Sequence, residues 1–224
     1  MNLSPTRQHK YQHGSASQFL MLAIAAFIFG IGLFSYQNMQ RGSLNTEDLQ
    51  KAVSFLENPR DLPAFSMTNH LGNEFTQQDL MGNWSFVFFG FTNCPDVCPL
   101  TLSTMNQASG LIEQEIPRQI VFISVDPDRD QPEKLNDYVT HFSDEVVGVT
   151  GSPEQINLLT NSFGAIYAIP ENKTDNYLVD HSAHIFVIDP NGKLTALYST
   201  PHDANIIADD LKLINSAYKQ KSKS

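Results

Sequence analysis

The run Trp84-Ser85-Phe86-Val87-Phe88-Phe89-Gly90-Phe91 constrains this chain more than any other segment. It is apolar and rich in aromatics, is bounded by Gly82-Asn83 and Thr92-Asn93, and so reads as a buried strand. Pro99 then opens a segment in which Leu102, Met105, Ala108, Leu111 and Ile112 recur at helical spacing, predicting a helix over about 99–115. Between the two lie Cys94 and Cys98, the only cysteines among 224 residues, so both thiols fall at one strand-to-helix turn. Unpaired amides and the dipole of a helix N-terminus favour negative charge there, which predicts a lowered thiol pKa and an available thiolate. If the turn is already helical, residues four apart share a face at roughly 5–6 Å between Cβ atoms, a spacing that suits a disulfide or one soft metal ion. The plainer reading is a structural disulfide or two buried thiols, although a bridge closing so tight a loop adds little stability.

Charge is distributed unevenly. The first 46 residues hold no Asp or Glu, so all 24 acids lie from Glu47 onward with 11 of the 14 basic residues, a net charge of −13 for that part. Such a surface repels nucleic acid, and nucleic-acid binding is excluded. The part after the N-terminal segment is long enough for one domain with its own core.

From Phe19 to Phe34 every residue is apolar or glycine. As a helix this run covers about 24 Å, and its uncharged flanks Ser17-Gln18 and Ser35-Tyr36 complete a span of the ~30 Å hydrocarbon layer. A cleaved signal peptide competes with this reading, but no Ala-x-Ala-like site followed by polar sequence comes after the run, which favours an uncleaved anchor. Arg7 and Lys10 before the span set the N-terminus in the cytoplasm and the domain outside it. Two basic residues make a poor mitochondrial transit peptide. The expected organisation is a cytoplasmic segment at 1–18, an anchor at 19–37, a polar linker at 38–58, a domain at 59–218 and a disordered tail at 219–224.

Within the domain, Phe65 to Phe75 predicts a hairpin around Leu71-Gly72-Asn73. Gln119 to Val125 is a second buried strand, followed by the turn Asp126-Pro127-Asp128-Arg129-Asp130. Asp130 and Glu133 have capping-box spacing, which predicts a helix running to about His141. Val146–Val149 is a short strand, and Ser152-Pro153 starts a helix to about Phe163. His184–Asp189 and Leu194–Tyr198 flank Pro190-Asn191-Gly192 as a hairpin, and a last helix covers about 203–218. Strand, helix, strand, then helix, hairpin and helix is the order of an α/β, thioredoxin-like mixed sheet flanked by helices, here preceded by one transmembrane helix.

Two thiolates suit Cu(I), and a site that also holds Cu(II) needs a nitrogen ligand, for which imidazole is the natural donor. Of seven histidines, His9 and His13 precede the span, while His70, His141 and His202 sit at a hairpin turn, a helix end and a loop, where a solvated histidine is the usual outcome. His181 and His184 remain, and spacing alone leaves both open.

The stretch Phe91-Thr92-Asn93-Cys94-Pro95-Asp96-Val97-Cys98-Pro99-Leu100-Thr101-Leu102 resembles the signature of the Sco/SenC family, copper chaperones of cytochrome c oxidase assembly. Val125 to Asp130, Gly148-Val149-Thr150-Gly151, Val179-Asp180-His181-Ser182 and Asp189-Pro190-Asn191-Gly192 agree in order and approximate spacing, and the resemblance spans roughly 60–215. It implies a thioredoxin-like fold, an N-terminal anchor, and copper held as Cu(I) or Cu(II) by Cys94, Cys98 and His181. Asp96 and Asp126 are expected to serve their loops structurally, and Asp180 to orient the site.

Two functions follow. One is a metallochaperone, not an enzyme, that sits in the bacterial inner membrane with its domain in the periplasm. It would pass copper to the dinuclear copper site of an oxidase subunit, with a thiol reductase and other copper chaperones as further partners. The other is a thiol-disulfide oxidoreductase that reduces the cysteines of that site, with Cys94 and Cys98 as its redox pair. A peroxidase is excluded by the absence of the Pro-x-x-x-Thr-x-x-Cys pattern upstream of Cys94.

Overall fold

A computed structural model describes residues 16–40, 52–174 and 176–221. The first segment is a single helix, α1 (Ala16–Gln40), apolar on all sides. Its stretch Phe19–Tyr36 lacks any Asp, Glu, Lys or Arg and is long enough, at about 27 Å, to cross a membrane. Of the N-terminal segment expected at 1–18, residues 1–15 lie outside the described residues and 16–18 belong to α1.

The domain is built on one eight-stranded mixed sheet: β1 (Ala52–Asp61), β2 (Ser66–Asn69), β3 (Glu74–Thr76), β4 (Trp84–Gly90), β5 (Arg118–Ser124), β6 (Val146–Thr150), β9 (Ile185–Ile188) and β10 (Lys193–Tyr198). A two-residue ribbon, β7 (Tyr167–Ala168) with β8 (Asp180–His181), stands apart from it. The sheet order is β1-β10-β9-β4-β5-β6-β2-β3, with β4, β5 and β6 parallel and the remaining pairs antiparallel. Parallel neighbours require crossovers, and these are the helices α2 (Val97–Leu111) and α3 (Pro132–Thr140). α4 (Pro153–Phe163) and α5 (Ala204–Lys221) complete the layers. This is the thioredoxin-like arrangement the element order predicts.

All seven residues of β4 are buried, because helices cover both faces of the sheet centre. Successive aromatics therefore serve opposite faces. Phe88 packs on Phe122, which meets Tyr138 of α3, whereas Phe89 packs edge-on against Phe163 of α4 and Phe186 of β9. Trp84, at the start of the strand, donates its indole N–H to Asn215 of α5 at 3.1 Å, so even this large ring is buried without an orphaned donor. Both predicted hairpins form. Asn69 Oδ1 accepts from the amides of Leu71 and Asn73 in one, and Asp189 Oδ1 accepts from Asn191 and Lys193 in the other.

The structure differs from expectation in several elements. Of the linker expected over 38–58, residues 38–40 extend α1, 41–51 lie outside the described residues, and the rest forms β1, which pairs with β10 and tolerates Pro59 because it is an edge strand whose register shifts between Phe55 and Arg60. α2 begins at Val97, two residues before Pro99, and stops at Leu111. Helix α3 takes Gln131, not Asp130, as its N-cap, so the Asp130–Glu133 capping box does not form. The last helix continues to Lys221, through half of the tail expected at 219–224.

Candidate metal centre

The cysteines follow the C-terminal end of β4 and enter α2 one turn apart. Cys94 is half-buried and its N–H donates to the Phe91 carbonyl at 3.2 Å, while Cys98 lies inside the first turn of α2 and is fully buried. The Cys98 amide, one of the orphan donors of the helix start, is directed at Cys94 Sγ at 3.4 Å. Both are free thiols. Gly90 makes the close approach of α2 possible, since a Cβ there would lie 2.8 Å from Cys98 Sγ and 2.8 Å from the Phe122 ring.

His181 comes from β8, held against β7 by its pairing with Tyr167. The next residue, Ser182, locks the ribbon further, with its N–H on the Ile166 carbonyl and its Oγ accepting from the Ile166 amide, both at 2.8 Å. The imidazole rests edge-on against Phe88 and Phe91, with ring centroids 5.7 and 5.8 Å apart. Its Nδ1 lies 3.1 Å from the Ser182 carbonyl, which can only accept, so Nδ1 carries the proton and the Nε2 lone pair faces Cys98 Sγ at 3.3 Å. The ring is thus oriented by a backbone carbonyl and not by the Asp180 carboxylate expected for that role. The ligand atoms of Cys94, Cys98 and His181 all lie within 4.8 Å of one another, forming the one His/Cys/Asp/Glu group of this kind among the described residues.

Electrostatically, burial favours the uncharged forms of both the Cys98 thiol and the His181 imidazole. Burial pushes the Cys98 thiol well above its ordinary range, overriding the lowering expected from a helix N-terminus. Burial also lowers the His181 pKa, keeping the imidazole neutral and its lone pair free. A bound metal ion would reverse the first effect by stabilising thiolate directly.

The other histidines are engaged elsewhere. His184 packs beside Phe186, His202 Nε2 lies 2.7 Å from the Ala183 carbonyl, His70 Nδ1 accepts from the Gly148 amide, and His141 caps α3. His9 and His13 lie outside the described residues. Sequence reasoning missed Asp130, which is completely buried and accepts from the Thr92 amide (2.9 Å), the Thr92 hydroxyl (2.5 Å) and the Ser124 hydroxyl (2.6 Å). It anchors the loop that leads into Cys94. Lys134 reinforces the anchor, reaching Asn93 Oδ1 at 2.6 Å and Asp130 at 3.4 Å. The capping-box spacing hid this role, although the motif that contains Asp130 did signal that the turn matters.

A thioredoxin-like sheet presenting two thiols from a strand-to-helix turn and an imidazole from a facing ribbon defines a class of cysteine- and histidine-bearing metal-binding domains. The SCO1/SenC family description matches residues 56–215, and the chain belongs to that family. Protein sco1 of Schizosaccharomyces pombe is 33% identical over 210 residues, covering 91% of this chain and 77% of that protein. The mitochondrial SCO1 homolog 1 of Arabidopsis thaliana is 34% identical over 191 residues, covering 82% of this chain, so that the match spans only 57% of that longer protein. Among solved structures, Arabidopsis thaliana ScoI with copper bound superposes with a TM-score of 0.65 at 35% identity, over 69% of this chain and 98% of that one.

Proposed function

We propose that this protein is a membrane-anchored copper metallochaperone. Cys94, Cys98 and His181 bind the ion and release it to the copper-bearing subunit of a cytochrome c oxidase. The observation that carries the reading is the convergence of two sulfurs and one neutral imidazole nitrogen within 4.8 Å, at the rim of a buried aromatic core. The copper-bound relative supports the choice of metal. Two sulfurs and one nitrogen suit Cu(I), and the imidazole extends the site to Cu(II). Transfer proceeds by ligand exchange: incoming thiolates of the acceptor displace His181 and Cys94 first, because both are partly exposed, and Cys98 last, because it is sealed under Gly90. α1 anchors the protein in a bacterial inner membrane with the domain in the periplasm, where a reductase keeps the dithiol reduced.

A second reading, thiol-disulfide exchange, is favoured by the unequal exposure of the two cysteines. Cys94 is the accessible sulfur and Cys98 the buried one. Cys94 thiolate would attack a substrate disulfide and expel one substrate thiolate. Cys98 would then attack the mixed disulfide, releasing the second thiolate and leaving a Cys94–Cys98 bond. Anaerobic copper titration of the reduced protein separates the two. A chaperone binds one equivalent with thiolate-to-copper charge-transfer bands that vanish in Cys94→Ser and weaken in His181→Ala, whereas a reductase exchanges disulfides equally well with His181→Ala and shows no stoichiometric copper.

A further inference from the structure

The turn Asp126-Pro127-Asp128-Arg129-Asp130 supplies no ligand, yet it touches both segments that do. Asp130 holds the loop before Cys94, as described above. The other end of the turn holds the segment before His181. Tyr177, four residues ahead of His181, is buried and donates its hydroxyl to Oδ1 of Asp126, itself completely buried. Arg129 Nε donates to the second oxygen, Oδ2, at 2.5 Å. The Arg129 guanidinium lies over the Tyr177 ring, 3.4 Å from its centroid, and 5.8 Å from the centroid of Phe91. Phe91 in turn meets the His181 ring at 5.8 Å. A second tie joins the same two segments nearer the surface, where Lys173 pairs with Asp128.

The ribbon consists of two residue pairs extended by the Ser182–Ile166 hydrogen bonds, and so short an antiparallel pair is marginal in water. Closing the connection between β7 and β8 adds a cost in chain entropy. The buried Tyr177–Asp126 hydrogen bond and the Arg129 stack add a restraint in that connection, four residues before His181. Burial, followed by the Asp126 hydrogen bond, pushes the Tyr177 hydroxyl up to about 12, so it remains a donor at neutral pH.

We propose that Tyr177, Asp126 and Arg129 form a latch that positions His181 over Cys98. The three are positioning residues for the metal centre, acting through His181 and not on the cysteines. The proposal rests on the Cys94–Cys98–His181 reading given above. Opening the latch swings the imidazole away while leaving the dithiol intact, which provides a route from a three-ligand to a two-ligand site during transfer.

The test is a double-mutant cycle on the full-length protein in detergent, reduced and anaerobic, with Cu(II) alone as the probe. Tyr177→Phe keeps the ring under Arg129 and removes only the hydroxyl. The latch predicts about a tenfold loss of Cu(II) affinity in the wild-type background, the scale of one buried hydrogen bond to a charged group, and no further loss in His181→Ala. It also predicts faster hydrogen exchange of the Ser182 amide in the copper-free protein, with exchange in β4 and β5 unchanged. Equal losses in both backgrounds, or unchanged affinity and unchanged Ser182 exchange, would overturn it. If His181→Ala alone leaves Cu(II) affinity unaltered, the metal reading has failed. Ser182 exchange then decides separately, faster exchange sustaining the latch and unchanged exchange removing it.

Discussion

At the scale of single residues, the centre depends on the absence of a side chain as much as on the three donors. Gly90 has no Cβ, and its place in β4 is where Cys98 Sγ and the Phe122 ring converge from two sides. Neither neighbour is a flexible tip, because Cys98 is set by the first turn of α2 and Phe122 by the core. Gly90→Ala is therefore expected to overpack the strand-helix contact, to cost about 1–3 kcal/mol, and to push Cys98 out of reach of His181. Urea unfolding together with copper titration checks this, and wild-type values in both would show that α2 can retreat without harm. The two cysteines and their turn were legible in the chain. The glycine's role was not, because its crowding comes from Phe122, 32 positions later in sequence.

At the scale of elements, the loop between β4 and α2 is anchored by the turn that leads into α3. Asp130 spends its carboxylate on Thr92 and Ser124 instead of on the start of its own helix, and Gln131 takes the N-cap without a side-chain bond. Asp130→Ala strands the buried Ser124 hydroxyl and the Thr92 donors, with an expected loss of about 3 kcal/mol, while Asp130→Asn keeps an acceptor and should lose less. Equilibrium denaturation measures both, and a loss below ~0.5 kcal/mol for the alanine variant would contradict the anchoring role. Local spacing made Asp130 look like a cap. The competing tertiary partners, six and 38 residues away, have no local signature. The edge strand β1 has no local signature for a related reason, since the stretch up to residue 58 reads as polar linker until β10 supplies its partner.

For the molecule as a whole, α1 and the acidic domain have opposite solvent preferences. The helix presents large apolar side chains around its whole circumference, including Phe19, Leu22, Phe27, Ile28 and Phe34. The part from Glu47 onward carries a net charge of −13, which opposes close approach to an anionic membrane surface. The full-length protein is expected to remain with membranes through alkaline carbonate extraction, and residues 42–224 alone to appear in the soluble fraction. Recovery of the full-length chain in the carbonate supernatant would refute the anchor. Accessibility of the domain to protease from the periplasmic side of spheroplasts tests its orientation.

Features with a local cause are legible in the chain. These are the buried β4 run, the helical periodicity after Pro99, both Asn- and Asp-stabilised hairpins, and the pairing of Cys94 with Cys98 at four-residue spacing. The sequence narrowed the histidine to two by position, and the family resemblance then singled out His181. Features that need distant chain segments to meet emerge only in the folded protein. His181 is brought to 3.3 Å from Cys98 across 83 positions, the Cys98 thiol is desolvated, and the turn at 126–130 hydrogen-bonds to the segment before Cys94 and to the one before His181. Hydrophobic periodicity and turn chemistry are written in neighbouring residues. Desolvation, ligand convergence and the satisfaction of buried carboxylates arise only when the sheet closes them off from water.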